Sequence, residues 1–207
     1  AIYLGMQLLL PGEWAPSHRH TPNAVRMVVE GEGAWTTVDG EKCPMRRGDL
    51  ILTPTGLWHE HGHDGSEPVV WLDVLDLPMV YYMEASYVQP GDRQDVQPTH
   101  GERAYARGGV VPTPVFGRAG KAYPMLRYPW ATTRDALQSL AADQPALDAV
   151  QVTYVNPETG GDAGHREMVD DDAPQRPLQA AAGDLRTRRR CPRHVLPPRA
   201  PAVSAPV

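Results

Sequence analysis

The sequence predicts an all-β fold, a barrel or a sandwich, over residues 4–75. Five short runs in this stretch are rich in β-branched, aromatic and aliphatic residues, and Gly, Pro or Asp bounds each of them. Asp39-Gly40 stands between two extended runs, and both residue types accept the positive φ that a tight hairpin turn requires. The five runs are LGMQLLL, VRMVVEG, GAWTTV, DLILT and VVWLDVL. Their spacing is typical of a closed or double-layered β structure.

The pattern changes after residue 78. PMVYYMEASY (78–87) predicts a short helix, and residues 89–114 have the composition of a loop. TTRDALQSLAA (132–142) predicts a second helix, with Thr132 and Asp135 as its capping pair and apolar residues at helical spacing. VQVTYVNPETGG (150–161) predicts one more strand, which enters a turn.

Length and composition limit the class of protein. A chain of 207 residues with 41% hydrophobic positions can bury one sizeable core. Two cysteines, Cys43 and Cys191, are too few for a disulfide framework or a thiolate metal site. Neither a membrane-spanning apolar run nor a signal peptide is present, so we expect a cytoplasmic protein with no membrane partner. The first residue is not Met and lies in a strand-like run, which is typical of a fragment.

Charge is distributed unevenly along the chain. Residues 185–207 contain six Arg and no acid. The net charge of the preceding residues is therefore about −11, which together with this tail gives the total of −5. An acidic body disfavours nucleic acid as a partner, and the basic tail lacks aromatic residues for base stacking. From residue 162 onward there is no Phe, Trp or Tyr, and Arg, Pro and Ala dominate, which predicts disorder over 162–207. We interpret this tail as an out-of-frame translation.

Three histidines form a candidate metal site. His18 and His20 are two residues apart in a strand-like run, so both side chains project to one face and into a barrel interior. His59, from a later strand, supplies a third nitrogen. Three neutral imidazoles suit iron, zinc, copper or nickel and leave coordination positions open for a substrate.

The spacing around these histidines resembles the two cupin motifs. The first motif matches at Gly12, His18, His20 and Gly31, and the second matches at Gly48, Pro54, Gly56 and His59. Ala24 stands where the first motif has a Glu ligand, so the resemblance implies a site of three histidines without a carboxylate. His63 replaces the usual Asn of the second motif, and we interpret it as a surface loop histidine.

Within the cupins, residues 11–78 resemble the catalytic N-terminal cupin of the gentisate 1,2-dioxygenase family. That family also contains salicylate and 1-hydroxy-2-naphthoate dioxygenases. RYPWATTRDAL and YVNPETGG resemble its inter-cupin region. The resemblance implies a cupin barrel, which is a double-stranded β-helix or jelly roll, with short flanking helices. The implied organisation is a catalytic cupin at 1–78, an inter-cupin linker and the start of a second cupin at 79–161, and the tail at 162–207.

The resemblance also implies a reaction and its residues. Family members use Fe(II), held here by His18, His20 and His59, and are usually tetramers. The reaction is an extradiol-type cleavage in which dioxygen opens the ring of gentisate between the carboxyl-bearing carbon and its hydroxyl-bearing neighbour, giving maleylpyruvate. The implied substrate and catalytic residues are Arg26, which binds the carboxylate, His61, which hydrogen-bonds the reactants, and the pocket residues Gln7 and Asp73. Trp71 is two residues from Asp73 in a strand-like run, so it shares a face with Asp73 and is a candidate wall of the pocket.

Even spacing supports the role of Arg26, because residue 26 shares a strand face with His20. For Gln7 and Trp71, simple core packing is an equal alternative. A cupin that binds a metal or small molecule without turnover, or an inactive fragment, is the second function class. Other cupin enzymes, such as sugar isomerases, are a less favoured alternative, because they more often keep the Glu ligand that Ala24 replaces. The sequence does not choose among gentisate, salicylate and 1-hydroxy-2-naphthoate.

Overall fold

The computed structural model describes residues 2–97, 101–113, 123–143 and 149–161. Ala1–His165 group into one compact unit, and the second unit, Arg166–Val207, lies outside the described residues. The tail predicted to be disordered, 162–207, is outside them as well. Within the described ranges, no helix combines the length and the apolar character needed to cross a membrane.

Eight strands occupy the first 75 residues. They are β1 Tyr3–Leu9, β2 Trp14–His20, β3 Ala24–Glu30, β4 Glu32–Val38, β5 Glu41–Arg46, β6 Leu50–Thr53, β7 His59–His63 and β8 Val69–Leu75. The later elements are α1 Leu77–Tyr82, β9 Val88–Pro90, α2 Gly101–Ala104, β10 Arg127–Tyr128 and α3 Trp130–Asp143. The predicted all-β class is confirmed.

The strands form two antiparallel sheets of five strands each. One sheet has the order β1-β8-β3-β6-β10, and the other has the order β5-β4-β7-β2-β9. Alternate side chains of each strand point into the barrel, where they meet those of the opposite sheet. Fully buried members of this core include Val28, Val38, Met45, Ile51, Val69 and Trp71.

The predicted hairpin is present between β4 and β5. Val38 pairs with Glu41 across a two-residue turn, and Asp39 and Gly40 both have positive φ, +48° and +80°. Two residues with positive φ match the right-handed twist of the flanking strands. The turn therefore fixes the register of β4, which borders the histidine strand β7.

Residues beyond 78 extend both sheets. β9 lies beside β2 at one edge, and β10 pairs with β6 in the other sheet through Arg127 with Ile51 and Tyr128 with Leu50. α1 begins at Leu77, one residue before the predicted helix 78–87, and ends at Tyr82, after which Glu84 takes a left-handed conformation with φ +56°. The boundary between a cupin at 1–78 and a linker at 79–161 stays a prediction.

Two local predictions for this region are wrong. Residues 150–161 form no strand beyond a bridge at Val155, because Asn156 starts a turn in which Gly160 N donates to the Asn156 carbonyl. The next residue, Pro157, has no N–H to offer to a sheet. α3 begins at Trp130, so Thr132 lies inside it and does not cap it. Asp49 takes the capping role, because its Oδ1 accepts from Trp130 N at 2.8 Å.

Asp49 joins the barrel to the later residues. Its carboxylate is buried and accepts hydrogen bonds from the Arg127 side chain, with Arg127 Nη2 at 2.8 Å, and from the backbone N–H groups of Arg46 and Trp130. Arg127 also contacts Glu102 at 2.6 Å. Burial lowers the pKa of Arg127, but the adjacent carboxylates outweigh it and raise that pKa above its ordinary value.

We expect Asp49→Asn to lower the free energy of unfolding by about 3 kcal/mol, because it leaves the buried Arg127 charge with Glu102 alone. The matched control is Asp64→Asn, which removes the solvent-exposed partner of Lys42 and should cost less than about 1 kcal/mol. Urea unfolding followed by tryptophan fluorescence measures both. Equal losses for the two variants would contradict the assigned role of Asp49.

Candidate metal site

The histidines lie on two neighbouring strands. β2 carries His18 and His20, β7 carries His59, and His18 is paired directly with His59. Paired residues of antiparallel strands share a face of the sheet, and so do residues two apart on one strand. All three imidazoles therefore project to the same side of the sheet, as predicted.

A β-bulge in β2 makes this arrangement possible. Ala15 pairs with His61 and His18 pairs with His59, so Pro16 and Ser17 together oppose the single residue Glu60. In a regular strand without the bulge, alternation over the three residues from Ala15 to His18 would place His18 on the opposite face from Ala15. The bulge therefore turns His18 and His20 toward the face that His59 occupies.

The three imidazoles are close together. The ring centroids are 4.2 Å apart for His18 and His59, 4.7 Å for His20 and His59, and 5.7 Å for His18 and His20. One ring nitrogen from each histidine lies within 4.8 Å of the others. Among the residues that the structure describes, this is the one group of His, Cys, Asp or Glu that could hold a metal ion.

Backbone carbonyls fix the tautomer of each ring. The Nδ1 atoms of His18, His20 and His59 lie 2.9, 2.8 and 3.0 Å from the carbonyl oxygens of Pro16, Pro22 and Leu57. A carbonyl oxygen only accepts a hydrogen bond, so each Nδ1 carries the proton and each Nε2 keeps its lone pair. The site thus presents three Nε2 lone pairs, which is what a divalent metal requires.

Burial keeps two of these rings, His20 and His59, neutral. It lowers the pKa of His59 to about 2 and lowers that of His20 as well, and the nearby Arg26 charge adds to both effects. A proton therefore competes poorly with a metal ion at these nitrogens near neutral pH. The chemistry of the donor set fits a divalent transition metal held by three imidazoles.

The opposite sheet brings the predicted substrate residues together. Arg26 on β3 is paired with Asp73 on β8, and the two buried side chains form an ion pair with Nε to Oδ1 at 2.7 Å. Arg26 Nη1 donates to the hydroxyls of Thr36 and Thr53 at 3.2 and 3.3 Å. These bonds, made by Nε and Nη1, hold the guanidinium in one orientation. Nη2 is the guanidinium nitrogen that takes no part in them.

Asp73 is the centre of the predicted group. Its Oδ2 accepts from Gln7 Nε2 and, at 3.1 Å, from Trp71 Nε1. The Trp71 ring centroid lies 5.4 Å from that of His61 and 5.6 Å from the Arg26 guanidinium carbon. The structure thus joins Gln7, Arg26, Trp71 and Asp73 in one network that borders the histidines.

His61 and His63 have different surroundings although they share β7. His61 is buried, and its Nδ1 has no hydrogen-bond partner among the described residues. Burial lowers its pKa well below the ordinary value. The interpretation of His63 as a surface loop residue is wrong, because it is buried and bonded at both ring nitrogens, to the Glu67 carbonyl at 2.6 Å and Gly65 N at 2.9 Å.

Sequence reasoning missed the two threonines that hold Arg26. Thr36 also donates to the Glu60 carbonyl at 3.2 Å, so it connects Arg26 to the backbone between His59 and His61. In the sequence, both threonines stand in strand runs, where a β-branched residue is expected for packing alone. Only the alternation that places Thr36 on the inward face could have indicated a polar role.

A barrel of two antiparallel sheets with a three-histidine cluster on its inner face defines a cupin. Residues 5–75 match the protein family described as "Cupin domain", a range that contains all eight strands of the first 75 residues except the beginning of β1. The predicted cupin fold is confirmed.

Comparison with curated proteins narrows the class. The chain is 81% identical over 163 residues to a gentisate 1,2-dioxygenase of Ralstonia sp, a match that covers 79% of this chain and 46% of the relative. It is 39% identical over 165 residues to gentisate 1,2 dioxygenase 1 of Aquipseudomonas alcaligenes, which covers 77% of this chain and 47% of that protein. The chain thus spans about half the length of the curated relatives it matches.

A solved structure agrees with these matches. The salicylate 1,2-dioxygenase of Pseudaminobacter salicylatoxidans is 38% identical, with a TM-score of 0.68, over 78% of this chain and 49% of that one. A structure described as its adducts with gentisate matches with a TM-score of 0.67 over 78% of this chain and 47% of that one. Over the matched part of its length, the chain is thus similar to gentisate and salicylate 1,2-dioxygenases, in agreement with the resemblance seen in the sequence.

We expect His59→Ala to abolish stoichiometric binding of a divalent metal, because it removes the central imidazole of the cluster. The matched control is Arg19→Ala, which changes the residue between His18 and His20 whose side chain bonds Gln89 instead. Competition of each purified chain with a colorimetric chelator for Fe²⁺ measures the affinity. Undiminished binding by His59→Ala would contradict the assignment of the three ligands.

Proposed function

We propose that the protein to which this chain belongs is an Fe(II)-dependent dioxygenase that opens the ring of gentisate to give maleylpyruvate. The bond that breaks joins the carboxyl-bearing carbon to the adjacent hydroxyl-bearing carbon. Both oxygen atoms of dioxygen enter the product, so the reaction balances without an external electron donor. The relatives named as gentisate 1,2-dioxygenases support this substrate over salicylate and 1-hydroxy-2-naphthoate.

One observation carries the proposal. Three Nε2 lone pairs face a barrel interior that also contains a buried cation, Arg26, whose charge acts on His20 and His59, and a large aromatic ring, Trp71, beside His61. Three imidazoles leave coordination positions for two further ligands. A cation and an aromatic wall beside such a site suit an aromatic acid.

Fe(II) held by His18, His20 and His59 would supply a centre that binds both the hydroxy acid and dioxygen and passes electrons from the ring to dioxygen. Arg26 binds the substrate carboxylate through its guanidinium. Because Asp73, Thr36 and Thr53 already fix the guanidinium, binding an anion costs little reorganisation.

His61 donates or accepts a hydrogen bond at the reacting group. Its unpartnered Nδ1 and its lowered pKa describe a neutral imidazole that has not committed this nitrogen to the fold. Trp71 bonds Asp73 and lies against His61, so it excludes water from this side. Gln7 orients Asp73 from β1.

The second candidate is a cupin that binds a metal or small molecule without turnover. This chain covers about half of the length of its relatives. That coverage favours binding without turnover for the isolated chain, whatever the activity of the whole protein. Homotetramer formation and a cytoplasmic location stay predictions from the sequence.

Turnover by the purified chain tests the reaction class. The chain is loaded anaerobically with Fe²⁺, mixed with gentisate or salicylate, exposed to air, and followed by ultraviolet absorbance and dioxygen uptake. We expect Fe²⁺-dependent ring opening of gentisate with one dioxygen consumed per product, and none with a Zn²⁺-loaded control. Iron binding without turnover would favour the non-catalytic alternative for this chain.

We expect Arg26→Lys to lower kcat/KM for gentisate at least tenfold while Fe²⁺ content stays at the wild-type level. A lysine keeps the charge, but its ammonium has three N–H donors and cannot bond Asp73, Thr36, Thr53 and a carboxylate at once. The matched control is Arg19→Lys, on β2 of the other sheet, where the guanidinium bonds Gln89 and covers Trp58. Loss of bound iron in Arg26→Lys would instead show that Arg26 supports the metal site and not the substrate.

A further inference from the structure

A segment outside the barrel contacts both histidine strands. We define the outer strap as residues 88–97, which contain β9. β9 pairs with β2 at His18, Arg19 and His20, and the chain then crosses the outer face of the sheet. Gly91 N donates to the Ser17 carbonyl on β2 at 2.9 Å, and Gln97 N donates to the Gly40 carbonyl at the β4–β5 turn at 2.8 Å.

Gln94 fixes the middle of the outer strap. Its backbone N–H donates to Glu60 Oε2 on β7 at 3.3 Å, its Nε2 donates to the Thr37 carbonyl at 3.0 Å, and its Oε1 accepts from Gly40 N at 2.8 Å. The side chain and the backbone N–H of Gln94 thus bond to the histidine strand β7, to the neighbouring strand β4 and to the hairpin turn.

The surface beneath the outer strap is polar and buried. Thr37 and Glu60 are paired across β4 and β7, and Ser17 is on the bulge opposite Glu60. All three are buried, and the hydroxyls of Ser17 and Thr37 have no hydrogen-bond partner among the described residues. Covering such groups is unfavourable, so the strap depends on specific polar bonds to stay in place.

Because β2 contains the bulge, contacts with the outer strap affect the part of β2 that carries His18 and His20. The bulge interrupts the regular ladder between β2 and β7 at Pro16 and Ser17. Gly91 N supplies a partner to the Ser17 carbonyl, one residue before His18. The strap therefore stiffens the part of β2 that aims His18 and His20, and Gln94 holds the strap against β7, between His59 and His61.

We propose that Gln94 is a positioning residue for the metal site, acting through the outer strap on the two histidine strands. This inference rests on the proposed metal-binding function. It predicts that loosening the strap changes metal affinity and coordination geometry although no strap residue touches the metal. Mutation of a residue that supports a metal ligand typically changes the affinity for the metal by about 10-fold to 100-fold.

Titration of the metal-free chain with Co²⁺, followed by its visible absorption bands, tests the proposal. We expect Gln94→Ala to bind Co²⁺ about tenfold more weakly and with altered band intensities. Gly91→Ala tests the strap by another route, because an added Cβ would lie 2.2 Å from the Trp58 ring and push the strap outward. The matched control is Gln89→Ala, also on the strap, whose side chain bonds Arg19 and not the bulge.

The outcomes are separable. If Gln94→Ala unfolds more easily in urea but keeps the wild-type Co²⁺ affinity and spectrum, the strap is only structural and the inference is overturned. If the wild-type chain does not bind Co²⁺ at all, the metal site itself is wrong, and the inference falls with it. Weaker binding in Gln94→Ala and Gly91→Ala, but not in Gln89→Ala, supports the positioning role.

Discussion

The buried ion pair between Arg26 and Asp73 determines what the barrel interior can contain. A guanidinium removed from water needs a carboxylate and further acceptors, and Asp73, Thr36 and Thr53 provide them. Asp73 in turn collects donors from Gln7 and Trp71. The arrangement extends over β1, β3, β4, β6 and β8, so strands from both sheets are fixed relative to one another by a single charged pair.

This fixed cation also acts on the histidines across the interior. A positive charge disfavours a second one nearby, and it adds to burial in keeping His20, His59 and His61 unprotonated. Around the histidines the interior therefore combines a permanent cation with several neutral nitrogen bases. Neutral imidazoles suit a metal ion, whereas the guanidinium favours an anion beside it.

Residue patterns were sufficient for the class of fold, the hairpin and the three histidines. Motif spacing brought His18, His20 and His59 together, because residues two apart share a strand face. The prediction that Arg26 shares a strand with His20 is wrong, because β2 ends at His20 and β3 begins at Ala24 in the other sheet. Patterns failed where distant residues decide the outcome. α3 begins at Trp130 because Asp49, far away in sequence, accepts its first N–H, and local sequence alone pointed to Thr132. His63 is buried by a turn that residues 63–67 form with one another.

The bulge of β2 makes the ligand geometry depend on the number of residues as well as on their kinds. Ala15 and His18 are three residues apart but pair with residues of β7 that are two apart, so in a regular strand the same count would turn His18 and His20 to the outer side of the sheet. A sequence motif that records identities and spacing does not register whether the bulge forms. Among related chains, a protein that keeps the three-residue step but pairs it without a bulge would thus retain the ligands without presenting them to a metal.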